Sequence, residues 1–328
     1  MKQLSGIHHV TAITSSAEKI YQFFTNVLGV RLVKKTVNQD DIQTYHLFFA
    51  DDLGSAGTDM TFFDFQGIGP AIKGSNEISR TGFRVPSDAA LEYWVKRFIK
   101  YQVVFEPIKE LFGKKIIFFQ DFDLQEYALV SDEHNQGIAS GTPWHKGPVP
   151  DEFAITGLGP IFFRVSSLSK MESILSSYLF MRKTKVEGNY TLYEMGTGGN
   201  GASVILDFQP DEIFAQQGYG GIHHVAFRID DVVALQEWTK HLNEIGASNS
   251  GLVDRFYFQS LYTRMHRGFL FEFATEGPGF IDDEDPYETL GELLALPPKL
   301  RNQRAYIEKQ VRHIDTIRSN KVFEKEYL

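Results

Sequence analysis

The stretch Gly6-Ile7-His8-His9-Val10 recurs further along the chain as Gly221-Ile222-His223-His224-Val225. Each copy opens a short apolar run, to Thr14 and to Ile229, which is typical of a β-strand, and a helical pattern follows it. A repeat of this kind indicates related structural units in distant parts of a chain. It therefore predicts two modules of the same fold, one near each end of the sequence.

The helix after the first copy is predicted by a capping box of Ser15 with Glu18, by apolar residues on one face, and by Gly29 at its end. Three strand-like runs follow, at Val30–Val37, Thr44–Ala50 and Asp59–Phe65. A strand, a helix and three further strands make one βαβββ module.

Two more modules of this pattern fit between the copies that carry histidine. The second is predicted over Ile78–Val130 and the third over Gly159–Phe208. In the fourth, Asp230 or Asp231 caps a helix that ends at Gly246. The sequence therefore predicts an α+β fold of four βαβββ modules, arranged in two tandem halves.

The chain divides accordingly into four parts. Residues 1–135 form an N-terminal half with two modules, 136–152 a linker rich in turn residues, and 153–276 a C-terminal half with the other two modules. Residues 277–328 form a tail with an acidic stretch and a helix predicted from about Lys299 to Ile317. We expect this tail to serve as a packing or oligomer surface, so that a homo-oligomer is one expected partner.

Composition excludes several classes of function. The net charge of −9 argues against nucleic-acid binding, which favours a basic surface. No apolar run is long enough to span a bilayer, and the first residues lack the apolar core of a secretory signal, so we expect a cytoplasmic protein. Because the chain has no cysteine, any metal must be bound by histidine, aspartate or glutamate.

The paired histidines are candidates for such a site. Neighbouring residues of a strand point to opposite faces, so one histidine of each pair can face a cleft shared by the two modules. Glu272 lies inside the apolar run Gly268–Ala274, where an ionised carboxylate is costly unless it is paired or binds a cation. Two histidines and one carboxylate are the ligand set of non-haem Fe(II) oxygenases. The remaining histidines are expected to be structural: His46, His134, His145, His241, His266 and His313.

With histidine on a first strand and glutamate on a last strand, the chain resembles the vicinal oxygen chelate superfamily, which includes glyoxalase I, the extradiol dioxygenases and the bleomycin resistance proteins. Within it, nearly the whole chain is similar to the hydroquinone ring-cleaving dioxygenases and to the methylhydroquinone-linked dioxygenases of Gram-positive bacteria. The similarity is strongest at Gly6–Thr14, Val33–Asn38 with Tyr45-His46-Leu47, Gly57–Phe63, Gly221–Phe227 and Asp254–Phe273.

This resemblance implies which residues act. The metal ligands would be His9, His224 and Glu272, in a cleft between modules one and four that holds Fe(II), with Mn(II) as an alternative. The activity implied is O₂-dependent cleavage of substituted hydroquinones, with a small aromatic molecule and O₂ as the partners. Further matches give catalytic roles to Tyr262, His223 and Arg255, with Arg255 anchoring an anion, and substrate or supporting contacts to His8 and Thr11.

Two other functions stay open at this point. A glyoxalase I-like lyase or isomerase would need a fourth ligand, for which Thr61 is the matching position and Asp59 or Asp64 lies close in sequence. A non-enzymatic protein that binds aromatic compounds would leave the convergent ligands unexplained. The sequence also departs from catechol-cleaving extradiol enzymes, which have histidines where this chain has Val253 and the run Asp207-Phe208-Gln209.

Overall fold

The structure is a computed structural model that describes residues 2–277, 279 and 285–328. The first module contains β1 (Ile7–Ile13), α1 (Ala17–Gln22), β2 (Arg31–Val37), β3 (Tyr45–Ala50) and β4 (Asp59–Phe63). The second contains β5 (Glu77–Val85), α2 (Asp88–Lys100), β6 (Val104–Phe105), β7 (Lys109–Leu111), β8 (Lys114–Gln120) and β9 (Glu126–Ser131).

The third module contains β10 (Leu158–Val165), α3 (Leu168–Glu172), β11 (Arg182–Glu187), β12 (Tyr190–Glu194) and β13 (Ser203–Phe208). The fourth contains β14 (Gly221–Ile229), α4 (Val232–Glu244), β15 (Asn249–Asp254), β16 (Gln259–His266) and β17 (Phe269–Thr275), and the tail carries α5 (Arg304–Gln310). Helices α1 and α3 continue as π-helical segments over Phe23–Val27 and Ser173–Tyr178. Short 3₁₀ turns lie at Asp151–Phe153, Asn200–Ala202, Tyr287–Thr289 and Pro298–Gln303.

The strands form two large sheets, each made of two modules. Modules one and four share a sheet in the order β15-β16-β17-β14-β1-β4-β3-β2, and modules two and three share one in the order β11-β12-β13-β10-β5-β9-β8-β6, with β7 paired to β8. In each sheet the first strands of the two modules run antiparallel at the centre, as β1 does against β14. The predicted α+β fold is confirmed. The four-part division of the chain remains a prediction, and each sheet combines modules from both predicted halves.

One apolar core joins the sheets and their helices. Phe163 of β10 stacks on Phe271 of β17 with ring centroids 5.7 Å apart, so this contact packs one sheet against the other. Trp94 of α2 and Trp238 of α4 are fully buried beneath their modules. Burial of aromatic side chains of this size is a major source of stability. The phenylalanine-rich composition is therefore used mostly for packing.

Two local predictions were wrong. The N-cap of α1 is Ser16, whose hydroxyl accepts a hydrogen bond from the Lys19 amide. Ser15 instead donates its hydroxyl and its amide to Asp123, in the loop after β8, so a long-range contact replaces the predicted capping box. The tail helix ends at Gln310 rather than near Ile317.

The tail is extended beyond Gln310 because its polar groups bind the first module. Lys35 of β2 donates to the hydroxyl of Thr316 over 2.7 Å, and Arg318 donates to the carbonyl of Leu32 over 2.7 Å. The backbone of Lys35 also pairs with that of Leu294 in an isolated β-bridge. The tail thus covers the edge strand β2, in keeping with the predicted packing role. Part of the acidic stretch of the tail, residues 282–284, lies outside the described residues.

None of the helices in the described ranges is both long enough and apolar enough to cross a membrane.

Candidate metal centre

His9 and His224 meet where β1 and β14 pair at the centre of the first sheet. Their Nε2 atoms lie 3.3 Å apart, and both side chains are buried. Glu272 comes from β17, which lies parallel to β14 with Glu272 beside Ala226. Its Oε2 atom is 3.1 Å from His9 Nε2 and 2.9 Å from His224 Nε2. The structure therefore brings together the three residues that the sequence proposed as ligands.

The surroundings of Glu272 fit a bound cation. Its Oε1 atom accepts a hydrogen bond from the Ser260 hydroxyl over 2.5 Å. Its buried Oε2 atom faces the Nε2 atoms of the two histidines and has no other polar partner among the described residues. Burial opposes ionisation, but the two histidines outweigh it and hold the pKa of Glu272 well below its ordinary value. This buried, ionised carboxylate oxygen and the two histidine nitrogens lie within 4.8 Å of one another. They form a site that a divalent metal ion would complete.

The second histidine of each pair supports the first. Nδ1 of His8 lies 2.9 Å from Nδ1 of His9, and Nδ1 of His223 lies 2.8 Å from Nδ1 of His224. If the ligand histidines keep Nε2 for metal, each donates its Nδ1 hydrogen to the neighbouring imidazole, an arrangement that fixes ring orientation. His8 then donates from Nε2 to the Thr275 carbonyl, 3.1 Å away. Burial lowers the pKa of His8 and of His223 to about 3, so both rings are neutral as this arrangement requires.

A cavity of about 280 Å³ opens onto the three candidate ligands. Its wall includes His223, Arg255 and Tyr262, which were predicted to be catalytic, and the aromatic rings of Phe48, Phe63, Tyr257 and Phe258. His8 and Thr11 do not line the cavity but contact the candidate ligands. The His8 ring is hydrogen-bonded to His9, and the Thr11 hydroxyl lies 3.0 Å from His224 Nε2. The volume suits a single substituted aromatic ring.

Arg255 and Tyr262 form a pair on this wall. The Arg255 Nε atom donates to the Tyr262 hydroxyl oxygen over 3.2 Å, and the guanidinium also binds the Asp40 carboxylate at 3.0 Å. Tyr262 lies directly opposite Glu272 in the pairing of β16 with β17. Burial raises the pKa of Tyr262 above its ordinary value, so its side chain is a neutral phenol that can donate a hydrogen bond.

His46 is a cavity residue that sequence reasoning assigned to a structural role. It lies on the wall of the cavity, and its Nε2 atom is 2.9 Å from the Thr61 hydroxyl, which is itself 2.8 Å from the Thr11 hydroxyl. The only sequence signal was its position in the stretch Tyr45-His46-Leu47, one of the segments that carry the family resemblance.

Other acidic side chains near the sheet do not join the cluster. Asp59 is buried beside His9 on the neighbouring strand, but neither it nor Asp64 belongs to the group of candidate ligands found in the described residues. Asp64 accepts a hydrogen bond from the Tyr45 amide and pairs with Arg312. Neither carboxylate therefore provides a fourth ligand in this structure.

The second sheet has a different set of residues at the matching positions. His9, Arg80, Pro160 and His224 each lie seven residues before the N-cap of the helix in their module. By strand register, the positions that match Glu272 are Thr61, Ala128 and Ile205. Arg80, at the position that matches His9, lies over the Phe118 ring, 3.7 Å from its centroid. Modules two and three thus keep the architecture without the ligands.

Known proteins share both the sequence and the fold. The family model described as "Glyoxalase/Bleomycin resistance protein/Dioxygenase superfamily" matches residues 6–123 of this chain. The provisionally named ring-cleaving dioxygenase MhqA of Bacillus subtilis is 41% identical over 95% of this chain and 99% of its own. The chlorohydroquinone/hydroquinone 1,2-dioxygenase of Sphingobium indicum is 31% identical over 91% of this chain and 93% of its own.

Solved structures agree. A crystal structure of a provisionally named dioxygenase from Bacillus subtilis has a TM-score of 0.88 at 32% identity and covers 97% of this chain and 99% of its own. Glyoxalase I from Zea mays has a TM-score of 0.59 at 13% identity, over 83% of this chain and 92% of its own, and is similar in fold alone. The chain belongs to the glyoxalase/bleomycin resistance protein/dioxygenase superfamily, and within it to the ring-cleaving dioxygenases.

Proposed function

We propose that the protein is a non-haem Fe(II)-dependent dioxygenase that cleaves the ring of substituted hydroquinones with O₂. The observation that carries the proposal is the convergence of His9, His224 and Glu272 on one aromatic-lined cavity. Two histidines and one carboxylate would leave coordination positions open for exogenous ligands, as Fe(II) oxygenases require, and Mn(II) accepts the same donors. The name of the Sphingobium relative supports the choice of substrate.

The bound Fe(II) would supply the redox chemistry that lets O₂ react with an aromatic ring. Glu272 and the two histidines would hold it, while the chain's other polar groups handle the substrate. Tyr262 is a neutral donor, and His223, whose Nδ1 faces His224, keeps Nε2–H as a second donor beside the cavity. Arg255 stays charged at neutral pH and would hold an anionic oxygen or ring substituent. Phe48, Phe63 and Phe258 would exclude water from the ring.

The choice of hydroquinone over catechol follows from substrate geometry. A catechol offers two adjacent oxygens and is oriented by the metal itself. A hydroquinone has its hydroxyls in para positions and can present only one, so protein groups must orient the rest of the ring. Tyr262, Arg255 and His223 on the cavity wall are suited to that task, whereas the histidines of catechol-cleaving enzymes are replaced here, for example by Val253.

The proposal is tested by O₂ uptake, ultraviolet absorbance and product mass on metal-loaded protein with a panel of hydroquinones and catechols. We expect methyl- or halo-substituted hydroquinones to be cleaved with higher kcat/KM than catechol or 3-methylcatechol. A higher kcat/KM for either catechol than for every hydroquinone would overturn the substrate assignment. Isomerisation of a glutathione hemithioacetal without any O₂ uptake would favour a glyoxalase instead.

The structure gives little support to the alternative functions. The glyoxalase reading needs a fourth ligand at the Thr61 position, but the Thr61 hydroxyl is hydrogen-bonded to Thr11 and His46. A protein that only binds aromatic compounds has no need for the three convergent ligands. A cytoplasmic location and a homo-oligomeric state remain predictions.

A further inference from the structure

A continuous chain of hydrogen bonds leads from the cavity wall to the metal centre. His46 Nε2 is 2.9 Å from Thr61 Oγ1, Thr61 Oγ1 is 2.8 Å from Thr11 Oγ1, and Thr11 Oγ1 is 3.0 Å from Nε2 of His224. Both threonines are completely buried. This series of hydrogen bonds therefore ends on His224 Nε2, the nitrogen that is proposed to bind the metal.

The direction of the hydrogens along this chain matters for metal binding. Each threonine hydroxyl has one hydrogen to donate. If His46 donates from Nε2, Thr61 donates to Thr11 and Thr11 donates to His224, and the lone pair needed for the metal is occupied. If His46 accepts at Nε2, Thr61 donates to His46 and Thr11 donates to Thr61. His224 Nε2 is then free, and the oxygen lone pairs of Thr11 face the metal site.

A metal bound at His224 Nε2 would require the second direction, because that nitrogen then has no lone pair for a Thr11 hydrogen. The environment of His46 is compatible with this direction. Its ring is held between Phe48 and Phe63, with centroids 4.0 Å and 4.4 Å away. Burial, with smaller contributions from His9, His224 and Arg255, lowers the pKa of His46 well below its ordinary value, although Glu272 opposes this. A neutral imidazole donates at one nitrogen and accepts at the other, so a neutral His46 can accept at Nε2 from Thr61. A cation bound nearby would also disfavour a Thr11 hydrogen that points toward it.

We propose that His46 is a positioning residue for the metal centre, which acts through Thr61 and Thr11 as the terminal acceptor that keeps His224 Nε2 free for metal. This inference rests on the metal centre of the proposed function, but not on the substrate. The inference also assigns a role to Thr61. In module one, Thr61 occupies the strand position that Glu272 occupies in module four, yet it does not belong to the cluster of candidate ligands.

The experiment measures Mn(II) affinity from the electron paramagnetic resonance signal of free Mn(II), with no substrate present. His46→Phe keeps an aromatic ring between Phe48 and Phe63 but removes the acceptor, and Thr61→Val interrupts the chain. We expect each to weaken Mn(II) binding about tenfold, the lower end for partners of metal ligands. His46→Gln and Thr61→Ser, which keep an acceptor and a hydroxyl, should bind Mn(II) within about twofold of wild type, by the same reasoning.

The double variant separates this role from simple packing. If His46 acts through Thr61, His46→Phe adds no further loss to Thr61→Val, whereas independent packing defects would multiply. His241→Phe is the matched control, since the His241 ring also contacts aromatic rings and is hydrogen-bonded to the Tyr178 carbonyl, and His241 does not line the cavity. Circular-dichroism melting checks that each variant is folded.

The outcomes distinguish this inference from the proposed function. Wild-type affinity in His46→Phe, or multiplied losses in the double variant, would overturn the role of His46 whatever the activity. The expected pattern of affinities without cleavage of any hydroquinone would support His46 and overturn the substrate proposal. A wild-type protein that binds no Mn(II) or Fe(II) would overturn both.

Discussion

Arg255 donates its Nε hydrogen to the hydroxyl oxygen of Tyr262 over 3.2 Å, so the Tyr262 hydrogen is directed to a different acceptor. Both groups lie on the cavity wall, and Asp40 holds the guanidinium from the other side. The pair thus combines a permanent positive charge with a phenol that stays protonated. Such a pair can stabilise negative charge on a substrate oxygen without giving up a proton.

Tyr262→Phe removes only this hydroxyl. We expect the fold and the metal content to be unchanged and kcat to fall by about 10²-fold, the scale typical of a lost proton-transfer or oxyanion contact. Steady-state O₂ uptake with a substituted hydroquinone measures the change. Tyr306→Phe, at an exposed position of α5, serves as the control. Unchanged turnover in Tyr262→Phe would leave Tyr262 with a packing role only.

The three candidate ligands should each be needed for metal. His9→Ala, His224→Ala and Glu272→Ala are expected to lose most of the iron or manganese that wild-type protein retains when it is purified without oxygen, at about one ion per chain. Elemental analysis of the purified proteins measures this. Glu272→Ala protein with the metal content of wild type would exclude Glu272 as a ligand.

His8 is expected to tune the metal rather than to bind it. His8 links His9 to the carbonyl of Thr275, so His8→Ala removes the support of one ligand but none of the ligand atoms. Affinity for Mn(II) should fall by about 10-fold to 100-fold, a smaller loss than in His9→Ala. If His8→Ala and His9→Ala lost metal equally, His8 would have to bind the metal directly rather than support His9.

Stability should depend on pH through a residue far from the cavity. Asp121 is buried directly after the end of β8. Burial raises its pKa to about 7 from an ordinary value of 3.8, although Tyr127 donates a hydrogen bond to it. In this range the folded chain keeps the proton and the unfolded chain loses it. The contribution of Asp121 to stability is therefore full below the lower pKa and is lost as pH rises toward 7.

Urea unfolding of wild type and Asp121→Asn between about pH 4.5 and pH 8.5 measures this contribution. The free energy of unfolding of wild type should fall relative to that of the variant by up to about 1.4 kcal/mol per pH unit. The difference should become constant above the raised pKa. Parallel pH profiles for the two proteins would show that Asp121 is ionised at the same pH in both states.

Arg80 should contribute to stability and not to the metal centre. Its guanidinium lies 3.7 Å from the centroid of the Phe118 ring, while Lys109 lies 3.8 Å from the same centroid with an exposed side chain. Arg80→Met should lower the free energy of unfolding by about 1–2 kcal/mol and Lys109→Met by less, because the desolvated pair is stronger. Denaturant unfolding tests this, and metal content should match wild type in both variants.

The repeat and the strand pattern were sufficient to predict the four βαβββ modules, but not which modules share a sheet. Two His-His pairs on equivalent strands left the pairing of modules one and four open; the family resemblance, which places ligands on both modules, implied it, and the sheet order confirms it. Glu272 could be found as well, because a carboxylate inside an apolar strand needs a reason to be there. The modules and Glu272 could be predicted because local pattern and repetition are visible in the sequence itself.

Features that depend on contacts between distant segments could not be predicted. His46 reads as an ordinary strand residue until Thr61 and Thr11 from two neighbouring strands are placed beside it. Ser15 matched a capping box, yet Asp123 of another module binds its hydroxyl. The segment that ends at Ile317 has helical periodicity, but its backbone is extended where the tail crosses β2.

The sheet that carries the metal centre joins the first module of the chain to the last, while the modules between them pair with each other. During synthesis on a ribosome, modules two and three can close their sheet as soon as both have emerged, because their strands lie close in sequence. β1 has to wait for β14 and β17. An incomplete chain that stops before Gly221 therefore carries His9 without its partners, so the full set of three candidate ligands exists only once β17 has been made.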